Sequence, residues 1–200
     1  MNTGPDPTVI PAVQLISVVE VLEREAVPYA VGGAVALGYW SPGRGTEDID
    51  FNIFLPASRA PEIFALLTTL GVTVPQDATA TVNREDQIRT KWGAIYVGLF
   101  FAYDEVHEEC RRRAVRVEFG TAPTSTWMWA LCAEHCVFFK VLFNRPKDWL
   151  DIERVLRFAP SAFDVEYTVH WLERALGPED RALQRFRDLW AEVSADNAER

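Results

Sequence analysis

The chain has 200 residues, 48% of them hydrophobic and 24% charged, which is enough apolar material to bury one full core and too much for a disordered polymer. Its formal net charge of −9 excludes the broad basic surface of a general nucleic-acid coat, though not a local basic groove. No apolar run approaches the roughly 20 residues of a membrane span, so no membrane partner is expected.

The opening MNTGPDPTVI lacks the basic and apolar regions of a secretion leader, and a cytoplasmic location is expected. Three cysteines, Cys110, Cys132 and Cys136, cannot all pair within the chain and are expected as reduced thiols. Of the 20 cationic residues only 3 are lysines, and two of those, Lys140 and Lys147, fall in one short segment.

Taken in chain order, Pro11 to Ala26 carries apolar residues at amphipathic-helix spacing. VPYAV reads as a short strand broken by Gly32-Gly33, and Ala34 to Trp40 as a helix begun directly from the glycines and ended by the turn-forming SPGRG. DIDFNIFLP alternates, which puts Ile49, Phe51 and Ile53 on one face of a strand and Asp48, Asp50 and Asn52 on the other. Pro61 to Leu70 reads as a helix with proline in its first turn.

The segments VTVP, TATV, QIRT, AIYVGLFFAY and AVRVEF read as successive strands, antiparallel because their connections are short. Thr124 or Ser125 is then expected to cap a long helix to about Phe143, NRPKD interrupts it, and Trp149 to Phe158 resumes it. Two amphipathic helices separated by Gly177-Pro178 close the chain. A mixed sheet followed by helices is an α+β pattern, expected here as one compact unit.

The stretch VGGAVALGYWSPGRGTEDIDF, Val31 to Phe51, concentrates the chemistry. Side chains two apart on a strand point the same way, so Asp48 and Asp50 aim their carboxylates at one place. Such a pair either lies on a solvated strand face or holds a hard divalent cation such as Mg²⁺, which prefers carboxylate oxygens and leaves positions for water and phosphate. Gly32 and Gly33 supply the complementary half. Without a Cβ they allow backbone N–H groups to approach a ligand, and the helix that follows adds its partial positive end.

This stretch resembles the signature of the nucleotidyltransferase superfamily, in which a G-G or G-S turn precedes D-x-D, and its longer insert with Arg44 and Thr46 is most similar to the AbiEii and MenT-type toxin branch. FFKVLFNRPKDWLDIERVL resembles that branch's downstream pattern of Lys, Arg, Lys-Asp and Asp. The resemblance implies a minimal nucleotidyltransferase core over residues 1–122 and a C-terminal helical bundle over 123–200. It implies Asp48 and Asp50 as ligands of Mg²⁺ carrying a nucleoside triphosphate, with Gly32, Gly33, Arg44 and Thr46 near the phosphates. Lys140 would neutralise triphosphate charge, and Asp148 or Asp151 would complete the site from the helical side. It further implies transfer of a nucleoside monophosphate, most readily a pyrimidine nucleotide, to the 3′ end of tRNA, with a cognate antitoxin as partner. Transfer to a protein or a small molecule such as an aminoglycoside, or nucleotide binding without turnover, are the alternatives.

One position departs from the family pattern. Members often carry a third carboxylate on a later strand, and AIYVGLFF offers Gly98 there. Glu118, Asp104 or the helical aspartates would then supply the base, or one metal suffices.

The other polar constellations have competing readings. Lys140 is flanked by CVFF and VLF, where an idle charge is costly, although a snorkelling side chain would account for it too. His107-x-x-Cys110 and Cys132-x-x-His135 have a zinc-like spacing, against which buried cysteines and surface histidines are the expectation. CRRRAVR is either a phosphate-binding run for a polynucleotide or a charged hairpin offsetting Glu108 and Glu109. The seven tryptophans are expected mostly in core or interface.

Overall fold

The computed structural model describes residues 11–102, 104–120, 125–158 and 163–198. Helix α1 (Ala12–Arg24) leads into β1 (Tyr29–Val31), α2 (Gly33–Trp40) and β2 (Asp48–Ile53), as the sequence pattern anticipates. Helix α3 (Ala60–Thr69) begins with its proline, and α4 (Ala78–Glu85), β3 (Gln87–Trp92) and β4 (Ile95–Phe101) follow. After α5 (Glu105–Arg113), β5 (Val115–Phe119) and β6 (Thr126–Ala130), the chain ends in α6 (Ala133–Phe143), α7 (Pro146–Phe158), α8 (Val165–Leu176) and α9 (Arg181–Ala198). Among the described residues the architecture is α+β: one six-stranded mixed sheet, in the order β3-β4-β2-β1-β6-β5, flanked and followed by helices.

Four expectations fail. TATV lies in α4, because Ala78 and Val82, one turn apart, both bury against the core and override the β preference of threonine and valine. VTVP contributes only a bridge from Thr73 to Lys91.

CRRR is the last turn of α5 rather than a hairpin. Asp104 caps this helix by accepting from the His107 N–H, with acids in the first turn and arginines in the last, as the helix dipole favours.

The long helix to Phe143 is split. Thr126–Ala130 is a strand in which exposed Trp127 and Trp129 alternate with fully buried Met128 and Ala130, a period of two that excludes a helix. Ser125 therefore precedes a strand, and Thr124 lies outside the described residues, as does the expected domain boundary at 122/123. The sheet itself draws β6 from the C-terminal region and lays it parallel to β1.

Two buried clusters hold the sheet. Ile49, Phe51 and Ile53 of β2 and Val97, Leu99 and Phe101 of β4 pack with Leu15, Val18 and Leu22 of α1 and with Ile63 and Leu67 of α3. A second cluster joins Ala30 and Ala36 to Val137, Val141, Ile152 and Val155, which fastens the C-terminal helices to β1 and α2. With its apolar side turned to the first cluster, β2 presents Asp48 and Asp50 on the opposite face, toward α6 and α7.

Candidate active site

The two aspartates reach the floor of a cleft of about 1100 Å³, which is also lined by Gly33, Arg44, Thr46, Lys140, Arg145 and Lys147. Thr46 sets the start of β2. Its hydroxyl accepts from the Asp48 N–H at 3.1 Å and donates to the Asp48 carbonyl at 3.2 Å. Gly32 ties the corner above to the strand below, its N–H donating to the Asp50 carbonyl at 2.8 Å.

The Asp50 carboxylate is wedged between two glycines. A Cβ on Gly33 would stand 2.0 Å from its Oδ2, and one on Gly98 would stand 2.5 Å from its Oδ1. Gly33 also has φ +55, a left-handed conformation that glycine adopts at little cost. Both positions are thus closed to any side chain while Asp50 keeps its place. Among the described residues no hydrogen bond or ion pair reaches this carboxylate. Burial, and then the charge of Asp48, push its pKa up to about 6 against the opposing fields of Lys140, Arg89 and Arg145. A buried carboxylate so raised, beside a second one, would gain from a bound cation.

Among the described residues the Asp48 carboxylate pairs with Arg89 of β3, whose Nη2 lies 2.7 Å from its Oδ1. Asp48 and Asp50 thus present hard oxygens that fit Mg²⁺.

The opposite wall comes from the α6–α7 corner. Asn144 ends α6 in a left-handed conformation and accepts a hydrogen bond from Trp149 Nε1 at 2.7 Å, and Pro146 then opens α7. The tight turn folds α7 back so that Lys140 Nζ meets Asp151 at 2.7 Å and Asp148 at 3.2 Å. Arg44 grips both oxygens of Asp151 at 3.1 Å each, and Arg145 grips Asp148 at 2.7 and 3.1 Å. Burial alone would raise the pKa values of Asp148 and Asp151, but the hydrogen bonds and charges of these cations hold both below the usual carboxylate range.

The buried charge of Lys140 is therefore matched. Asp151, expected at the chemistry, is 5% exposed, does not line the cleft and has both oxygens engaged, as Asp148 does behind Arg145. Their positions suit them to aim Lys140, Arg44 and Arg145 rather than to take a proton.

Glu118 and Asp104, considered as bases, are not brought to the cleft. Glu118 sits on β5 three strands from β2, and Asp104 caps α5. Arg111 and Arg112 pair along α5 with Glu108 and Glu109, while Arg113 reaches Asp164 and Arg116 reaches Glu23, all away from the cleft.

The histidines differ from expectation: His107 and His135 are buried, and His135 bridges Cys132 Sγ at 3.2 Å and the Tyr167 hydroxyl at 2.8 Å. No group of three or more His, Cys, Asp or Glu able to hold a metal occurs among the described residues. No helix among them is long and apolar enough to cross a membrane.

No protein-family model and no curated protein matches the chain. Solved structures do match. The antibiotic-resistance factor ANT(2'')-Ia in solution superposes with TM-score 0.57 at 16% identity, over 94% of this chain and 97% of that one. The chain has the nucleotidyltransferase fold. Weaker likenesses extend to ANT(2'')-Ia in complex with adenylyl-2''-tobramycin (TM-score 0.48, 13% identity, 92% and 97% covered) and to the lincomycin-bound lincosamide antibiotic adenylyltransferase LnuA (TM-score 0.47, 11% identity, 73% and 96% covered).

On the nucleotidyltransferase fold, three cleft features lay beyond sequence reasoning: Arg89, the Tyr96 on which it stacks, and the acids Glu47, Asp77 and Glu85. Their strands and helix could be sought by pattern, but nothing local says that they share a cleft with Asp48.

Proposed function

We propose that this protein transfers a nucleoside monophosphate from a nucleoside triphosphate to a hydroxyl of a small cationic acceptor, releasing pyrophosphate. The observation that carries the reading is the Asp48–Asp50 pair, short of positive charge, lying beneath a glycine corner and facing Lys140 across the cleft. Asp48 and Asp50 would hold Mg²⁺, which when bound neutralises triphosphate charge. Gly33 and the first turn of α2 would present backbone N–H groups to the phosphates, with Gly32 holding the corner on β2 through its bond to the Asp50 carbonyl, and Arg44, Thr46, Lys140 and Lys147 would flank them. The acceptor oxygen attacks the α-phosphorus in line and forms the new O–P bond. The bond to the bridging oxygen of the β-phosphate breaks, pyrophosphate carries away the electron pair, and the acceptor proton passes to solvent.

Charge distribution favours a cationic acceptor over a polyanion. Arg44, Lys140, Arg145 and Arg89 are each already paired with an aspartate, the arginines of α5 point elsewhere, and Glu47, Asp77 and Glu85 add acidic side chains to the cleft lining. The end-to-end likeness to an antibiotic-resistance factor supports the same class.

The motif resemblance of Val31–Phe51 and Phe138–Leu156 to AbiEii and MenT-type toxins supports a second reading, with tRNA as acceptor and an antitoxin as partner. Incubation with each labelled nucleoside triphosphate and Mg²⁺ separates them. Label on an aminoglycoside panel supports the first reading, label on total tRNA the second, and label on protein or retention without transfer excludes both. Transfer at full rate by Asp48→Ala would remove that residue from the chemistry.

A further inference from the structure

The register of the sheet sets three rows of side chains across β2, β4 and β3 on the face that floors the cleft. Asp48 lies beside Tyr96 and Lys91, Asp50 beside Gly98 and Arg89, and Asn52 beside Phe100 and Gln87. The middle row is the unusual one. Its central position has no side chain, and Asp50 Oδ1 occupies the space that a Cβ there would need. Gly98 supplies no carboxylate on β4, and the third acidic ligand that would help two divalent ions share this face is missing.

The next residue in that row is a cation. Arg89 is 56% exposed, yet it is ordered from two sides. Its guanidinium stacks on the Tyr96 ring at 3.6 Å from the centroid, and its Nη2 donates to Asp48 Oδ1 at 2.7 Å. An exposed ion pair contributes little to folding, so stability does not explain why an arginine is held over the floor of the cleft. Charge does. The guanidinium stands against two carboxylates, with Lys91 in the neighbouring row, so the cations of this face offset the negative charge that a second divalent ion would need. The stacked fork also keeps further N–H donors available to phosphate oxygens while one is committed to Asp48.

We propose that Arg89 is a resident cation of the site, standing where a second metal ion would otherwise be held, so that the protein binds one divalent ion per nucleotide. The inference rests on the nucleotidyl-transfer reading and goes beyond it in assigning the charge that a missing ligand set would have carried. Arg89 acts as a positioning residue through Asp48: it fixes the carboxylate's rotamer and leaves the second oxygen for the metal.

The test counts metal ions without turnover. Mn²⁺ bound per chain is measured by electron paramagnetic resonance in the presence, one at a time, of the α,β-methylene analogues of ATP, CTP, GTP and UTP, which cannot release pyrophosphate. The wild-type chain is expected to retain one Mn²⁺, Arg89→Ala to retain two because Asp48 gains a free oxygen, and Arg89→Lys to return to one. Thermal melts in chelator of the wild type and Arg89→Ala should coincide within a few degrees, since the side chain is half exposed. Two ions on the wild type, or one on both the wild type and Arg89→Ala, would overturn the proposal while leaving nucleotidyl transfer standing. If no analogue retains Mn²⁺ on the wild-type chain, the transfer reading falls and the proposal falls with it.

Discussion

Replacing Asp50 by asparagine should abolish transfer and stabilise the apo-protein in the same step. The carboxylate has no cation against it among the described residues, and its pKa rises from an ordinary 3.8 to about 6. That displacement corresponds to about 3 kcal/mol of folding free energy, and partial opening of Asp50 to the cleft reduces it to about 2 kcal/mol. The amide keeps the shape between Gly33 and Gly98 and removes the charge. For a chain of this length about 2 kcal/mol is a rise in Tm of roughly 5 °C. Because the folded-state pKa lies above the unfolded one, the penalty in the wild type is complete above about pH 6 and vanishes below about pH 4, so the variant's advantage must shrink across that window. Mg²⁺ at a hundred times its Kd should raise wild-type stability by about 2.7 kcal/mol and move the variant much less. Calorimetry in chelator at pH 7.5 and at pH 4.5, then with Mg²⁺, measures all three quantities. An Asp50→Asn variant no more stable than the wild type at pH 7.5, or a gap unchanged at pH 4.5, would refute the idea that Asp50 is a carboxylate awaiting a cation.

Lys140→Ala should cost about 3 kcal/mol in a urea melt and raise the nucleotide KM, because it strips a buried cation from between Asp148 and Asp151; a loss below about 1 kcal/mol would show that Arg44 and Arg145 neutralise both acids unaided. Gly33→Ala forces a Cβ onto Asp50 Oδ2 at a left-handed backbone position, so both stability, by about 1–3 kcal/mol, and Mn²⁺ affinity should fall. Unchanged Mn²⁺ affinity in that variant would mean that the corner does not shape the metal site. His135, whose pKa is lowered to about 3 by burial and then by Arg113 and His107, is protonated in the unfolded chain below about pH 6.5 but not in the folded one. It should therefore subtract about 2 kcal/mol of stability as pH falls to 5. Comparing His135→Gln with the wild type at pH 7.5 and pH 5 isolates that contribution, and parallel losses in both would contradict it.

Much of the site was legible because its chemistry is local. D-x-D on a strand needs only the period of two to converge, and Gly32-Gly33 between a strand and a helix needs only the absence of a Cβ. Lys140 stood out as a charge inside an apolar run. What misled was also local: TATV has strand-forming residues, yet Ala78 and Val82 found the core one helical turn apart, and TWMWA looked helical until the alternation of exposed tryptophans with buried Met128 and Ala130 was realised. Asp151 was legible as an acid on the site's side of α7, but its engagement by Arg44, a residue 107 positions earlier, was not.

The amino-acid sequence by itself determined the α+β class, the placement of Asp48 and Asp50 on one strand face, and the glycine corner that follows β1, since each depends on propensities and periodicities within a dozen residues. The tertiary structure alone decided that β4 lies parallel to β2 with Gly98 beside Asp50, and that β3 then places Arg89 in the same row. It also decided that the α6–α7 corner brings Lys140 over them. Strand order and register are set by how the two apolar clusters close on the sheet, and that is a property of the whole chain.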